Sequence, residues 1–210
     1  MARYTGSVCK LCRRIGSKLL LKGDRCLGPK CAVDRRTVKP QRGTRAPRRR
    51  RVSDRGLQLR EKQKARYTYG VLERQFRRFF SEAQKTPGIT AENLVMLLER
   101  RLDNVVFRLG FADSRVQSRQ VVRHGHILLN GHRCDVPSCL VKPGDSISWH
   151  QSSTRRVYYK ALVENIKGKL VPGWLSLDPD TMVGRMVSLP APGEVDTTFD
   201  GKAIVEYYSK

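Results

Sequence analysis

The 210-residue chain has few acidic residues and no long apolar runs. It contains 19 Asp and Glu residues against 42 Lys and Arg residues, which gives a formal net charge of +23 at pH 7. No run of about 18 apolar residues is present, so we expect no membrane-spanning helix, and the lack of an apolar stretch at the N-terminus argues against secretion. The hydrophobic fraction, 39%, is low. Because such a chain repels itself, its partner must carry negative charge, as nucleic acid, an anionic membrane or an acidic protein does.

Patterns that support catalysis are also missing. The chain has no P-loop, no G-x-S-x-G motif and no paired carboxylates in an apolar context. Its four histidines lie at positions 124, 126, 132 and 150, and none has a nucleophile and an orienting acid nearby in the sequence. We therefore predict that the protein is not an enzyme.

Six cysteines without an export signal favour metal ligands or free thiols over disulfides, and a reducing, cytoplasmic location. Four of them follow the pattern Cys9-x2-Cys12-x13-Cys26-x4-Cys31. Two close thiol pairs can hold one tetrahedral ion, and neighbouring lysines and arginines lower the cost of ionising the thiols. We predict one structural Zn²⁺, with an iron–sulfur cluster as the alternative of equal ligand number. Unligated thiols or a disulfide are the alternatives without a metal.

Glycines and a proline between these cysteines predict that residues 1–34 form a loop-rich knob and not a helix. The other two cysteines, Cys134 and Cys139, could form a second metal site with His132. The stronger interpretation is that they are small buried apolar residues, as cysteines on short strands usually are.

The positive charge is concentrated near the N-terminus. Residues 1–60 contain 19 Lys and Arg residues against 3 acidic residues, whereas residues 171–210 contain 3 against 6. In segment 35–51, nine of 17 residues are Lys or Arg, two are proline and none is acidic. We expect this segment to be disordered until it binds a polyanion. A phosphate-rich partner is favoured over a membrane surface, because no amphipathic or lipidated anchor is nearby.

Periodicity and capping residues predict the order of the elements. Ser53 or Asp54 caps a helix, and Asn130-Gly131 predicts a hairpin. An apolar stripe predicts one helix from Thr90 to a stop at Gly110. Ser114 caps the next helix, short strands follow within residues 126–149, and further helices are predicted at residues 69–84, 155–166 and 203–208. The fold class is therefore α+β.

Arg115, Arg119 and Arg123 are spaced by four residues, so a helix places them on one face. Only Asp113 is close by in the sequence to neutralise them. Three guanidinium groups in a row match RNA phosphates, and the alternative is an ordinary solvated face. At the following corner, His124 and His126 could contact RNA, with a surface histidine that has no such role as the alternative.

Long blocks of the chain resemble a known family. One set of blocks resembles an RNA-binding domain that is shared by a ribosomal protein, some pseudouridine synthases and bacterial tyrosyl-tRNA synthetases. These blocks are RLDNVVFRLGFA at 101–112, SRQVVRHGHI at 118–127, NG at 130–131, PS at 137–138 and VKPGD at 141–145. Bacterial small-subunit ribosomal protein four is similar at RYTG (3–6), SDRGLQLREKQK (53–64), YGVLERQF (69–76) and IVEYYS (204–209). The resemblance covers essentially the whole chain and is weakest around residues 150–190.

The resemblance implies a mainly helical, discontinuous domain of residues 46–98 and 195–210. An RNA-binding domain of residues 99–194 would be inserted into it, with a two-helix module and small antiparallel sheet over about 99–165 and an irregular tail. Residues 1–45 would form the metal knob and a basic extension, as in the metal-binding, four-cysteine branch of the family.

The implied function is that of a structural constituent of the small ribosomal subunit, in the cytoplasm. Such a protein binds 16S rRNA early, nucleates assembly of the subunit body, contacts small-subunit ribosomal protein five and thereby affects decoding accuracy. It also lies near the path by which mRNA enters, without a membrane partner or homo-oligomer. The alternatives are an RNA-modifying enzyme and a translational repressor that binds mRNA through the same module, as some members do with their own message.

The candidate site residues follow from these interpretations. The predicted metal ligands are Cys9, Cys12, Cys26 and Cys31. The predicted RNA-binding residues are Arg35, Arg36, Arg48, Arg49, Arg50, Arg51, Arg55, Lys62, Arg74, Arg115, Arg119, Arg123, His124, His126 and Asn130.

Overall fold

The computed structural model describes residues 4–35, 53–195 and 197–209. Five predicted RNA-binding residues lie outside the described residues, namely Arg36, Arg48, Arg49, Arg50 and Arg51. The helices are α1 (Cys9–Ile15), α2 (Asp24–Leu27), α3 (Asp54–Thr68), α4 (Glu73–Lys85), α5 (Thr90–Glu99), α6 (Leu102–Arg108), α7 (Arg115–Arg123), α8 (Val157–Ile166) and α9 (Gly201–Ser209). The strands are β1 (Ile127–Leu129), β2 (His132–Arg133), β3 (Ser146–Trp149), β4 (Leu175–Asp178) and β5 (Val183–Met186), and a 3-10 turn covers Gln151–Ser153.

The cysteine segment contains the two short helices α1 and α2, so the prediction of a knob without helices is wrong there. Leu11 and Ile15 give α1 an apolar face, which packs with Leu19 and Leu21 into a small separate core. Helix α1 ends at Gly16, whose φ of 82° lies in the left-handed region that glycine adopts easily. The glycines therefore mark helix ends within a compact segment.

Helices α3, α4, α5 and α9 form a helical unit around Phe76, Phe80, Leu94, Leu98 and Ile204, all of which are buried. The predicted cap is confirmed, because the Ser53 hydroxyl accepts a hydrogen bond from the Gly56 N–H at 3.3 Å. Helix α9 returns from the far end of the chain and packs on this core. The structure is thus mainly helical here, with a small antiparallel sheet elsewhere, which confirms the α+β fold class.

The predicted helix from Thr90 to Gly110 is two helices, because the chain leaves helical geometry at Arg101, just after the first helix ends at Glu99. Arg101 is extended, with φ −64° and ψ 135°. Around it, the Leu102 N–H donates to the Cys139 carbonyl at 2.8 Å and the Val141 N–H donates to the Arg100 carbonyl at 2.9 Å. These distant partners stabilise the break, and the apolar periodicity gives no sign of it because buried residues continue on both sides.

Helices α6, α7 and α8 pack with the sheet into an α/β unit, whose core includes Val106, Leu109, Ile127, Ile147 and Trp174. The sheet order is β2-β1-β3-β5-β4 and all its pairs are antiparallel. The predicted hairpin is confirmed, since β1 and β2 meet at Asn130 and Gly131, whose φ values are 52° and 79°.

Strands β4 and β5 lie in the segment that was predicted to be irregular. They pair with each other from Leu175 opposite Met186 to Asp178 opposite Val183, and β5 also pairs with β3. Each strand has four residues, and flanking prolines and an aspartate-rich turn weaken its pattern in the sequence. Over the described residues the sheet therefore has five strands, and the local β4–β5 hairpin joins it through the pairing of β5 with the distant β3.

Gly184, in the middle of β5, packs directly on Leu109 of the adjoining core. A Cβ at this position would collide with both methyl groups of Leu109, which is fully buried and has no space to move into. We expect Gly184→Ala to lower the free energy of unfolding by about 1–3 kcal/mol, the usual cost of overpacking a core. Chemical denaturation followed by tryptophan fluorescence would measure it, because Trp149 and Trp174 belong to this core.

The matched control is Gly168→Ala, where a Cβ would meet no atom within 4 Å. An equal stability for Gly184→Ala and Gly168→Ala would show that Leu109 and its neighbours adapt to the added methyl group.

Candidate nucleic-acid interface

Five of the predicted RNA-binding residues with described positions have freely exposed side chains: Arg35, Arg55, Arg74, Arg123 and His124. They lie on four parts of the fold, namely the cysteine segment, α3, α4 and the end of α7, where Arg123 and His124 are adjacent. The guanidinium carbon of Arg55 also lies over the Tyr207 ring, at 5.9 Å from its centroid, as in a cation–π contact at the surface. The four arginines provide cations that can neutralise phosphates without breaking an ion pair among the described residues.

Asn130 is exposed too, but its side chain closes the hairpin. Its amide nitrogen donates to Asp145 Oδ1 at 2.8 Å, and its amide oxygen accepts from the Ser146 N–H at 2.8 Å. Its visible role is therefore to hold the hairpin against the start of β3, and RNA binding by Asn130 stays a prediction.

Lys62 is held inside the helical unit, with 5% of its side chain exposed. Its Nζ lies 2.7 Å from Glu73 Oε1 and 4.7 Å from the centroid of the Tyr207 ring. Glu73 also pairs with Arg66 and accepts a hydrogen bond from the Tyr208 hydroxyl at 3.0 Å. Lys62 thus links α3 to α4 and α9, and an RNA contact would have to compete with this pairing.

The face of α7 is not neutralised by Asp113, which instead pairs with Lys169 at 3.0 Å. Arg119 binds Asp103 at 3.1 Å, and Arg115 donates to Asn104 Oδ1 at 2.7 Å. The spacing correctly placed the three arginines on one helix, but the helix face that carries Arg115 and Arg119 packs against α6. Of the three, Arg123 is the exposed one, and RNA binding by the other two stays a prediction.

Glu99 is the centre of the network behind this face, and it is fully buried. It accepts hydrogen bonds from Tyr69 and Asn104, both at 2.7 Å, and from two nitrogens of Arg108 at 2.9 and 2.8 Å. Burial alone would raise the pKa of Glu99, but the hydrogen bond and charge of Arg108 and the charge of Arg115 outweigh it and lower the pKa. The ionised carboxylate therefore ties the helical unit to α6 and α7.

A cleft beside β3 contains His124 and His126, whose ring centroids are 5.9 Å apart. His126 Nδ1 lies 2.9 Å from the Ser153 hydroxyl. Burial, followed by the positive charge of Arg156, lowers the pKa of His126, so this imidazole is uncharged at neutral pH. His126 therefore offers ring stacking and hydrogen bonding to a ligand, whereas His124 on the surface is accessible to a phosphate.

The four predicted metal ligands line one small cavity together with Lys22, Arg25 and Lys30. Burial raises the pKa of the Cys12 thiol, and the thiols of Cys26, Cys9 and Cys31 add to the shift against a hydrogen bond from the Leu19 backbone. The four thiols thus border the same cavity, and sulfur donors of this kind suit a soft ion. Within residues 4–35, 53–195 and 197–209, no three His, Cys, Asp or Glu side chains are positioned to hold a metal as they stand.

The second cysteine pair packs against the core of the α/β unit. Cys134 and Cys139 are free thiols, and burial and then the neighbouring Cys134 raise the pKa of Cys139. His132 is exposed on β2. The interpretation of Cys134 and Cys139 as packing residues fits this placement. Among the described helices, none is both long and apolar enough to cross a bilayer.

Two matches to family models define the class of protein, a ribosomal protein that carries an S4 domain. Residues 3–99 match the ribosomal protein S4/S9 N-terminal domain, and residues 100–147 match the S4 domain. Over all 210 residues the chain is 54% identical to the small ribosomal subunit proteins uS4 of Dehalococcoides mccartyi and Pelotomaculum thermopropionicum. It is 52% identical to that of Heliobacterium modesticaldum, and each alignment covers 100% of both chains.

The chain therefore belongs to the uS4 family of small ribosomal subunit proteins. This confirms the resemblance to the ribosomal protein family and supports the prediction that the chain is not an enzyme. Its place in the metal-binding, four-cysteine branch stays a prediction.

Proposed function

We propose that this protein is a structural component of the small ribosomal subunit and binds ribosomal RNA directly. The observation that carries the proposal is the identity of about half of all residues to uS4 proteins over the full length of both chains. The physical chemistry agrees with it, because a net charge of +23 requires a polyanionic partner. Exposed arginines on several elements can each neutralise a phosphate and release counterions.

The more specific proposals rest on the family resemblance alone. We propose that the RNA is 16S rRNA, that the protein binds it early and nucleates the subunit body, and that it contacts small-subunit ribosomal protein five. A position near the path by which mRNA enters, and an effect on decoding accuracy, belong to the same proposal. Reconstitution of subunits from 16S rRNA with and without this protein would test the early role, since later proteins should fail to join without it.

We also propose that Cys9, Cys12, Cys26 and Cys31 hold one Zn²⁺ ion. An ion bound there would supply cross-links between α1, α2 and the chain after Cys31, and four thiolates leave no open position for catalysis. The supporting observation is that the four thiols line one cavity together with three cationic side chains. A bound ion would have to overcome the burial that raises the pKa of Cys12, because metal ligands must be thiolates. An iron–sulfur cluster has the same donor set, and elemental analysis of the purified protein distinguishes the two.

Arg123→Ala tests phosphate binding at the exposed end of α7. We expect rRNA affinity to fall about fivefold, about 1 kcal/mol, because one charge-assisted hydrogen bond to a phosphate is lost. The slope of log affinity against log salt should fall by about one. Filter binding to transcribed 16S rRNA over a salt series measures both quantities.

The control is Arg185→Ala, which removes an exposed arginine from β5 within the acidic last forty residues. It should leave affinity and slope nearly unchanged. A wild-type affinity that does not depend on salt would contradict phosphate-dominated binding altogether.

A further inference from the structure

A cleft of about 330 Å³ separates the exposed side of α4 from the chain at residues 138–140. Gln75, Arg78 and Glu82 line it from α4, and Arg101 and Ser138 line it from the α/β unit. It therefore lies where the two units meet, at the backbone break between α5 and α6. The family matches meet at the same place, between residues 99 and 100.

Arg101 is a fully buried cation with an unused donor. Its Nε and Nη2 donate to the two carboxylate oxygens of Asp103, at 3.1 and 2.8 Å. Its Nη1 is buried and has no hydrogen-bond partner among the residues that the structure describes. The same Asp103 carboxylate also binds Arg119, so its negative charge is divided between two guanidinium groups. A buried guanidinium N–H without a partner is costly, and an anionic acceptor relieves that cost best.

Gln75, in the same cleft, has a side-chain acceptor that lacks a donor within the described residues. Its Oε1 is buried and accepts no hydrogen bond from any described part of the chain. One cleft thus contains an unpartnered donor on a cation and an unpartnered neutral acceptor. A ligand that satisfies both atoms needs an anionic oxygen and, close to it, a hydroxyl that can donate. An RNA backbone has this combination in a phosphate and its neighbouring ribose 2′-hydroxyl, and DNA lacks the hydroxyl.

We propose that this cleft binds one ribose-phosphate unit of RNA, with the phosphate at Arg101 and Arg78 and the 2′-hydroxyl at Gln75. The proposal rests on the proposed function, because it takes RNA as the partner. Arg78 and Glu82 are exposed at the rim, so their side chains can move aside into solvent as the strand enters. Glu82 is the one acidic side chain among the lining residues, and Arg78 offsets its charge.

The first test compares two neighbouring arginines of α4. Arg78 lines the cleft, whereas Arg77 is also exposed but does not line it. With transcribed 16S rRNA, we expect Arg78→Ala to lower affinity about fivefold and the salt slope by about one, as the loss of one phosphate contact does. Arg77→Ala should change both much less. Equal effects of the two substitutions would overturn the proposal, because general electrostatic attraction would then explain them.

The second test asks whether Gln75 contacts a ribose 2′-hydroxyl. Pools of 16S rRNA carrying random 2′-deoxy substitutions are partitioned into bound and free fractions with the wild-type protein and with Gln75→Met, which keeps the side-chain length but removes the acceptor. We expect one position at which 2′-deoxy substitution weakens wild-type binding and has no effect on Gln75→Met. Circular dichroism and chemical denaturation check that the variant is folded.

Identical interference patterns for the two proteins would overturn the proposal, and bound water would then account for the two polar atoms. A wild-type protein that binds no rRNA would overturn the proposed function, and this site with it. Wild-type binding combined with equal Arg77 and Arg78 effects overturns the site alone, so the two failures are distinguishable.

Discussion

Replacing Glu99 with alanine is expected to lower the free energy of unfolding by about 3–5 kcal/mol, the usual cost of removing one partner of a buried ion pair. The carboxylate is fully buried and accepts hydrogen bonds from Tyr69, Asn104 and Arg108. Without it, the guanidinium group of Arg108 and the partly buried Arg115 lose their counter-charge. Because these partners come from both units, we also expect the contact between α5, α6 and α7 to loosen.

Urea denaturation measures the loss, with Glu92→Ala as the control on the same helix. Glu92 is exposed in the first turn of α5, so its removal should cost about 0.3–1 kcal/mol through the helix dipole. Glu99→Gln keeps the shape of the side chain but removes its charge, so its loss of unfolding free energy should lie between those of Glu92→Ala and Glu99→Ala. A Glu99→Ala protein as stable as Glu92→Ala would show that the network contributes nothing net to folding.

The same carboxylate predicts a dependence of stability on pH. Its folded-state pKa is lowered below the ordinary value of 4.5, so the unfolded state binds its proton more readily. The stabilisation is therefore fully present above about pH 4.5 and is lost as the pH falls through the lowered pKa. Stability of the wild-type protein should decline on acidification below that value, and Glu99→Gln should decline less steeply.

Replacing Cys26 with serine is expected to abolish metal binding and to release the N-terminal segment. If the four thiols hold Zn²⁺, the ion contributes binding free energy of about 10–16 kcal/mol by analogy with zinc-finger peptides, and three ligands do not retain it equally well. The small core of Leu11, Ile15, Leu19 and Leu21 is too limited to hold the segment together alone. Mass spectrometry under native conditions measures the metal content, and amide hydrogen exchange over residues 4–35 measures the loosening.

Cys134→Ser is the matched control, because it removes a thiol from the pair that packs against the α/β unit. It should leave metal content and exchange in residues 4–35 unchanged. An unchanged metal content in Cys26→Ser would reject the four-thiolate site, and addition of a chelator to the wild-type protein should reproduce the effect of Cys26→Ser if the site is correct.

Local signals in the sequence predicted the features that local interactions determine. The caps at Ser53 and Ser114 and the hairpin at Asn130-Gly131 each depend on a few neighbouring residues, and the structure confirms all three. Local signals could not predict the break at Arg100–Arg101, because residues 139–141, which are distant in the sequence, supply the hydrogen bonds that stabilise it. The β4–β5 hairpin likewise joins the sheet through the pairing of β5 with the distant β3, and strand preference depends strongly on such context.

The candidate interface was predictable in its charge but not in its geometry. A spacing of four places Arg115, Arg119 and Arg123 on one helical face, but it does not tell which element covers that face. The sequence did contain a signal for buried ion pairs, namely acidic residues inside an apolar stripe. Glu99 and Asp103 flank Leu102 within a run of buried residues, and buried carboxylates need cationic partners. Two of the predicted RNA-binding arginines are those partners.

The return of α9 onto the helical unit sets an order for folding during synthesis. Ile204 is fully buried in the helical core, and the Tyr208 and Phe80 ring centroids are 4.5 Å apart, so that core is incomplete until residues 201–209 have left the exit tunnel. The α/β unit consists of one continuous stretch and can close earlier, as domains of a nascent chain generally do. Premature termination shortly before residue 201 would therefore leave a sheet already formed beside an open apolar groove, a natural target for chaperones and proteases.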